Sequence, residues 1–171
     1  DLRVATLGLR KLHGFTTGRL RIWEPSGVSR QQALGGYLNA AQMVVVCVDS
    51  EEDAAARDAE RLLGDVMQSM RPRTILALCG LKADRLTPSQ HQRQSVRLGR
   101  VASSCHAEFG MCSARTGEGV DEFFCAILAA FLESSSDLPA PEPVLSRLAG
   151  TLSNSQLLRT LLRRQGDMTS S

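Results

Sequence analysis

The sequence predicts an α/β domain with a doubly wound, mostly parallel sheet. Two apolar runs, Met43 to Val48 and Thr74 to Cys79, show no alternation, the pattern of strands covered on both faces. Between and after them lie amphipathic or apolar stretches of helical length. Strands that alternate with helices lead to a parallel sheet, because each return to the same edge needs a crossover.

Residues 2 to 9 and 19 to 23 are short β-like runs around a Gly-containing turn region, which predicts a hairpin. After the strand ending at Val48, Asp49-Ser50 is expected to stop it and cap the next helix. Residues 51 to 70 space Ala55, Leu62, Leu63, Val66 and Met70 among charges, which predicts an amphipathic helix. Pro72 leads into the strand Thr74 to Cys79. Thr87-Pro88 opens a further helix to about Ser103, since Thr suits the N-cap and Pro the first helical position. Phe109 to Cys112 is a brief strand, and Val120 to Leu132 an apolar helix following Gly117 and Gly119. The domain is expected over residues 1 to 133. Residues 134 to 143, SSSDLPAPEP, read as a linker, and 144 to 171 as a Leu/Arg helix, weakened by Gly150 and Asn154, with a tail.

Composition narrows the function. The chain has 171 residues, 43% of them apolar, enough for one core. Its 20 basic and 18 acidic residues are interleaved to a net charge of +2, so no field for nucleic acid is implied. The five cysteines include no C-x-x-C pair and read as reduced core thiols of an intracellular, most simply cytoplasmic, protein. His13, His91 and His106 lack ligand spacing, so no metal site is expected from them. No apolar run reaches 18 residues, and no prenylation cysteine is present near Ser171, so no stable membrane anchor is expected.

Four short motifs follow one another: Thr6-Leu7-Gly8, Trp23-Glu24-Pro25-Ser26-Gly27, Leu81-Lys82-Ala83-Asp84, and Cys112-Ser113-Ala114-Arg115-Thr116-Gly117-Glu118-Gly119. In this order and spacing the chain resembles a small GTPase of the Ras superfamily, with features of both Rab and Arf proteins. The segment from Thr116 to Phe124, T-G-E-G-V-D-E-F-F, is the strongest single match, to Rab-like chains; V-D-S at 48 to 50 resembles Arf-like strands. The resemblance implies the P-loop NTPase fold and GTP or GDP with magnesium as ligands. It also exposes a gap: no stretch reads G-x-x-x-x-G-K-[ST], so the first strand and phosphate loop of that fold are absent from these residues. The opening at Asp1 rather than Met leads us to expect that a longer natural product supplies them upstream.

Carried over residue by residue, the resemblance assigns Asp84 to guanine. Its carboxylate can accept from N1 and the exocyclic amine together, a bidentate contact that adenine cannot match. Lys82 would lay its stem across the base, the Ala114 amide would meet the guanine oxygen, and Ser113 and Arg115 flank it. On the other side Thr6 corresponds to the switch threonine, Glu24 to the magnesium-side Asp, and Gly27 to the γ-phosphate-sensing glycine. Three departures stand out, the first two weighing against hydrolysis and the third pointing to a loosened nucleotide site. Val28 stands where a Gln orients the attacking water, Pro25 removes a backbone donor, and Leu81 replaces the Asn that ties the base loop to the phosphate loop.

The expected function is a degenerate, non-hydrolysing G domain serving as a protein-interaction subunit or adaptor in a larger assembly, with the C-terminal helix as a candidate docking element. The alternative is a genuine, slowly hydrolysing GTPase completed upstream. An α/β domain of another family would leave Asp84 and Ala114 apart.

Overall fold

The computed structural model describes residues 2–12, 15–25 and 36–134, with side chains described from Leu20 to Glu24 and from Gly36 onward. Strands β1 (Leu2–Leu12) and β2 (Phe15–Pro25) form the antiparallel hairpin, longer at the turn end than the sequence suggests. Then follow β3 (Met43–Asp49), helix α1 (Ala55–Met67), β4 (Ile75–Leu81), a single 3-10 turn at Ala83–Arg85, α2 (Pro88–Ser104), β5 (Glu108–Met111) and α3 (Val120–Ser134). The strands make two sheets, β1-β2 and a parallel β3-β4-β5. The expected linker beyond Ser134 and the Leu/Arg tail lie outside the described residues.

The unalternated strands are covered on both faces as their composition requires. Val44, Val46 and Val48 of β3, with Leu76 and Leu78 of β4, meet Ala59 and Leu63 of α1 and Leu98 of α2. Met43, Val45 and Cys47, with Ala77, Cys79 and Leu81, meet Val120, Phe123 and Ile127 of α3 on the other face. Leu20 and Ile22 of β2 pack against this second cluster. Residue parity alone sorts the side chains between the two cores.

Local chemistry sets the helix ends. Thr87 and Gln90 form a reciprocal capping box with Pro88 in the first turn. Asp49-Ser50 does not cap α1: its N-cap is Ala54, which makes no side-chain bond. Both side chains are used elsewhere. Ser50 Oγ donates to the Leu81 carbonyl, and Asp49 Oδ1 accepts from the Glu51 amide at 3.1 Å. Tethering neighbouring strand ends therefore takes precedence over capping here.

Gly119, at φ +70°, begins the last helix, and a Cβ there would lie 2.1 Å from the Met111 carbonyl oxygen. That oxygen is backbone and cannot swing aside. Gly119→Ala is therefore expected to cost at least about 2 kcal/mol through strain and clash. Urea unfolding of the two proteins measures it; a change below about 0.5 kcal/mol, the level of an ordinary surface substitution, contradicts the account.

Cys47 and Cys79 are register partners on β3 and β4, and all five cysteines are free. Hydrogen bonding with Cys112 and Cys47, reinforced by burial, holds the fully buried Cys79 thiol well above the ordinary value of 9.0. Burial, helped by Asp121 and Glu122, also raises Cys125. A raised folded-state pKa leaves stability intact below the ordinary thiol range and removes it as pH climbs through that range, where only the unfolded thiols ionise. Native Cys79 should thus resist iodoacetamide at pH 8 and react only after denaturation, as peptide mass spectrometry would show.

Candidate functional site

The carboxyl ends of parallel strands are where open α/β sheets present their loops to ligands. Here β3 ends at Asp49, β4 at Leu81 and β5 at Met111, and the chain turns after each. Leu81 is buried in the α3-side core rather than facing the loops. Its carbonyl accepts from the Ser50 amide at 3.1 Å, fastening the β3 and β4 ends together. Lys82 then takes a left-handed backbone, φ +61°, and Ala83–Arg85 close the short helical turn. The Ala83 amide donates to the Cys112 carbonyl at 3.1 Å, which joins this turn to the loop after β5.

That junction brings Asp84 beside Ser113. Ser113 Oγ donates to Asp84 Oδ1 at 2.5 Å and accepts from the Thr116 amide at 3.1 Å. Ser113 is fully buried, and its loop is folded on itself by Ser113 N to Glu118 O at 2.9 Å and Gly117 N to Ser113 O at 2.8 Å. Arg115 Nε lies 3.0 Å from Asp84 Oδ2. The contact is ionic without a well-aligned hydrogen bond, since Oδ2 is a buried oxygen that accepts no hydrogen bond from the described residues. The Asp84 side chain is only 9% exposed, while that of Arg115 is 74% exposed and can leave. A buried carboxylate oxygen with open acceptor capacity is chemically suited to accept N–H groups.

Lys82 is anchored differently. Its Nζ lies 2.6 Å from Asp49 Oδ2 and 3.7 Å from Glu51 Oε2, and Arg85 pairs with Glu51 at 3.0 Å. From α2, the buried Gln94 donates to the Glu52 carbonyl at 3.2 Å, steadying the loop that carries both carboxylates. The Lys82 ammonium is thus committed to these carboxylates.

Five of the expected site residues, Lys82, Asp84, Ser113, Ala114 and Arg115, thus belong to one cluster. The convergence of Asp84 with the Ser113-Ala114-Arg115 loop overturns the reading of an unrelated α/β domain. Thr6 and Glu24 sit on the hairpin, opposite Arg21 and Arg3 in register. Glu24 is buried and its Oε2 accepts no hydrogen bond from the described residues. No hydrogen bond or ion pair among the described residues joins Glu24 to the Asp84 cluster. Gly27 and Val28 lie outside the described residues. Sequence reasoning missed Asp49 and Glu51 as partners of Lys82. The usable signal was an acid at the end of one buried strand and a lysine at the end of another.

The Ras family's sequence profile matches residues 11–133. The chain belongs to the Ras family. Among its relatives, Ras-related protein Rab-34 of Rattus norvegicus is 28% identical over 118 residues, 68% of this chain and 46% of the relative. Human Rab-34 gives the same figures, and Rab-36 of Mus musculus is 25% identical over 118 residues, 68% of this chain and 44% of that protein. The chain is thus a Ras-superfamily domain of Rab type and spans less than half the length of these relatives. Ras-family members bind GTP and GDP with magnesium. The buried Asp84 acceptor and the Lys82 stem fit the base of such a nucleotide. The phosphate and magnesium side is not met in the same way: the sequence contains no phosphate loop, and Thr6 and Glu24 alone do not form a metal's ligand set.

Proposed function

We propose that this chain is a guanine-recognising, non-hydrolysing G domain of Rab type that works as a protein-interaction subunit or adaptor. The observation that carries the reading is the Asp84 carboxylate, buried, oriented by Ser113 and with one oxygen, beside Arg115, that retains acceptor capacity. Asp84 and Ala114 select guanine, Lys82 supplies the base's floor, and Ser113 orients Asp84 as a positioning residue. A magnesium-bound triphosphate would bring the charge neutralisation that phosphoryl transfer needs. Against turnover stand Val28 at the water-orienting position, which has no group to hold a water, and Glu24-Pro25, one methylene longer and one amide donor poorer than the family pattern. The protein partners expected of such a subunit, contacted in part through the Leu/Arg segment after residue 143, belong to the same proposal.

The test is nucleotide content and turnover in the protein purified from its own source with its natural N-terminus. After denaturation, chromatography of the released small molecules is expected to give guanine nucleotide without adenine nucleotide. Single-turnover hydrolysis of GTP is expected to run slower than a water-orienting Gln supports, and Val28→Gln to raise its rate. A rate in the wild type that Val28→Gln does not improve would favour the second reading, a working GTPase completed upstream. Absence of guanine nucleotide, with no uptake of GTP and magnesium, would remove guanine recognition and leave a scaffold.

A further inference from the structure

From Arg85 to Ala107 the chain contains no Asp or Glu, although 18 acids are spread through the sequence. Helix α2 occupies most of that stretch. Gln94, Leu98, Val101 and Ala102 turn inward. The opposite side exposes Arg93, Arg97 and Arg100, at i, i+4 and i+7, with Val96 beside them 43% exposed. At 1.5 Å rise per residue the three guanidiniums follow a line of about 10 Å. Arg97 donates to the Asp53 carbonyl at 3.3 Å, but among the described residues none of the three makes an ion pair. Three other exposed arginines, Arg61, Arg85 and Arg115, do form such pairs, while Arg57, Arg71 and Arg73 are exposed without one among the described residues.

We propose that the outer face of α2 is a docking surface for an acidic segment of another protein, a helix or extended peptide with carboxylates that pair Arg93, Arg97 and Arg100 around an apolar residue set on Val96. Charge complementarity requires an anionic occupant and also excludes the nearer ones. The chain's own residues 135 to 171 carry four arginines and three acids and are net basic. Two copies meeting α2 to α2 would oppose like charges, and the exposed Arg57 and Arg61 interrupt the acids of α1. A flat anionic membrane fits poorly as well. The bonds from Gln94 and Arg97 place the Glu52 and Asp53 backbone alongside α2, and both are exposed acids on that neighbouring loop. A narrow ligand lies along the line clear of those acids, whereas a charged plane is pressed against them. Acidic interfaces of this kind depend on arginine forks matched to carboxylates.

The probe is a fluorescein-labelled helical peptide of 16 residues with glutamates at i, i+4 and i+7 around one leucine, beside a scrambled peptide of the same composition. Anisotropy is read with the full chain, with Arg93→Gln/Arg100→Gln, and with Arg57→Gln/Arg61→Gln as a surface control. Arg97 is retained because it also bonds the loop, and unchanged thermal midpoints verify the fold. The patterned peptide is expected to bind the wild type and the control alike, and the Arg93/Arg100 variant at least about tenfold more weakly. The scrambled peptide is expected to bind several-fold more weakly than the patterned one. No binding of the patterned peptide, equal binding by the Arg93/Arg100 variant, or equal binding of the scrambled peptide overturns the proposal. Sedimentation of the wild type, but not of that variant, with phosphatidylserine vesicles would also overturn it and give the face to a membrane.

Discussion

Asp49→Ala lowers the free energy of unfolding by about 3 kcal/mol, because it strands the Lys82 ammonium among buried surroundings. The two side chains are 8% and 13% exposed and lie 2.6 Å apart, so water screens the pair little. Glu51, at 3.7 Å, compensates in part, which keeps the expected cost at the low end for a broken buried pair. The same substitution also releases the Glu51 amide from Asp49 Oδ1, loosening the loop after β3. Urea denaturation of Asp49→Ala, Lys82→Met and the double variant measures the effect as a cycle. The double variant should lose clearly less than the two single losses added together. Strict additivity, or a single loss under about 1 kcal/mol, would mean that the pair is an exposed surface contact in solution. Under the proposed guanine reading, Asp49→Ala should disturb base recognition as well as stability, because it removes the carboxylate that anchors Lys82.

Asp84→Ala abolishes the preference for guanine over adenine nucleotides, by about a thousandfold or more, in the protein carrying its natural N-terminus. That scale follows from the penalty of leaving the base's two N–H donors unpaired at a site built to receive them. Competition of GDP and ADP against a fluorescent guanine nucleotide reads it directly. Ser113→Ala should produce a smaller loss in the same direction, on the order of tenfold, since Ser113 orients Asp84 without meeting the base itself. Should Asp84→Ala leave the preference intact, the buried carboxylate would be a structural partner of Ser113 and Arg115, and guanine would have to be read elsewhere.

Most of the element sequence was legible in the residues. The runs Met43 to Val48 and Thr74 to Cys79 could only be strands between two packed layers, and Thr87-Pro88 marked the start of α2 at the residue where it begins. The hairpin was foreseen in kind but not in length, because Lys11 and Gly18 near its turn carry weak strand signals that cross-strand bonding overrides. The role of Asp49-Ser50 was misjudged for a related reason. Alone, a Ser after an acid reads as a helix cap; next to β4 it finds the Leu81 carbonyl, and a contact across 31 positions is invisible to local pattern.

The sequence by itself determined the family, the parity of the strands, and the residue types of the Asp84 cluster. These are local properties: side-chain periodicity, short motifs and their order along the chain. Only the tertiary structure decided how those residues meet. It set Ser113 and Arg115 on the two oxygens of Asp84, tied Lys82 to Asp49 and Glu51, and turned Arg93, Arg97 and Arg100 outward without ion partners among the described residues. Each of these depends on which loops emerge side by side from a parallel sheet, or on which side of a helix the core lies. Register and packing fix that, through distances of a few ångströms between residues some thirty positions apart.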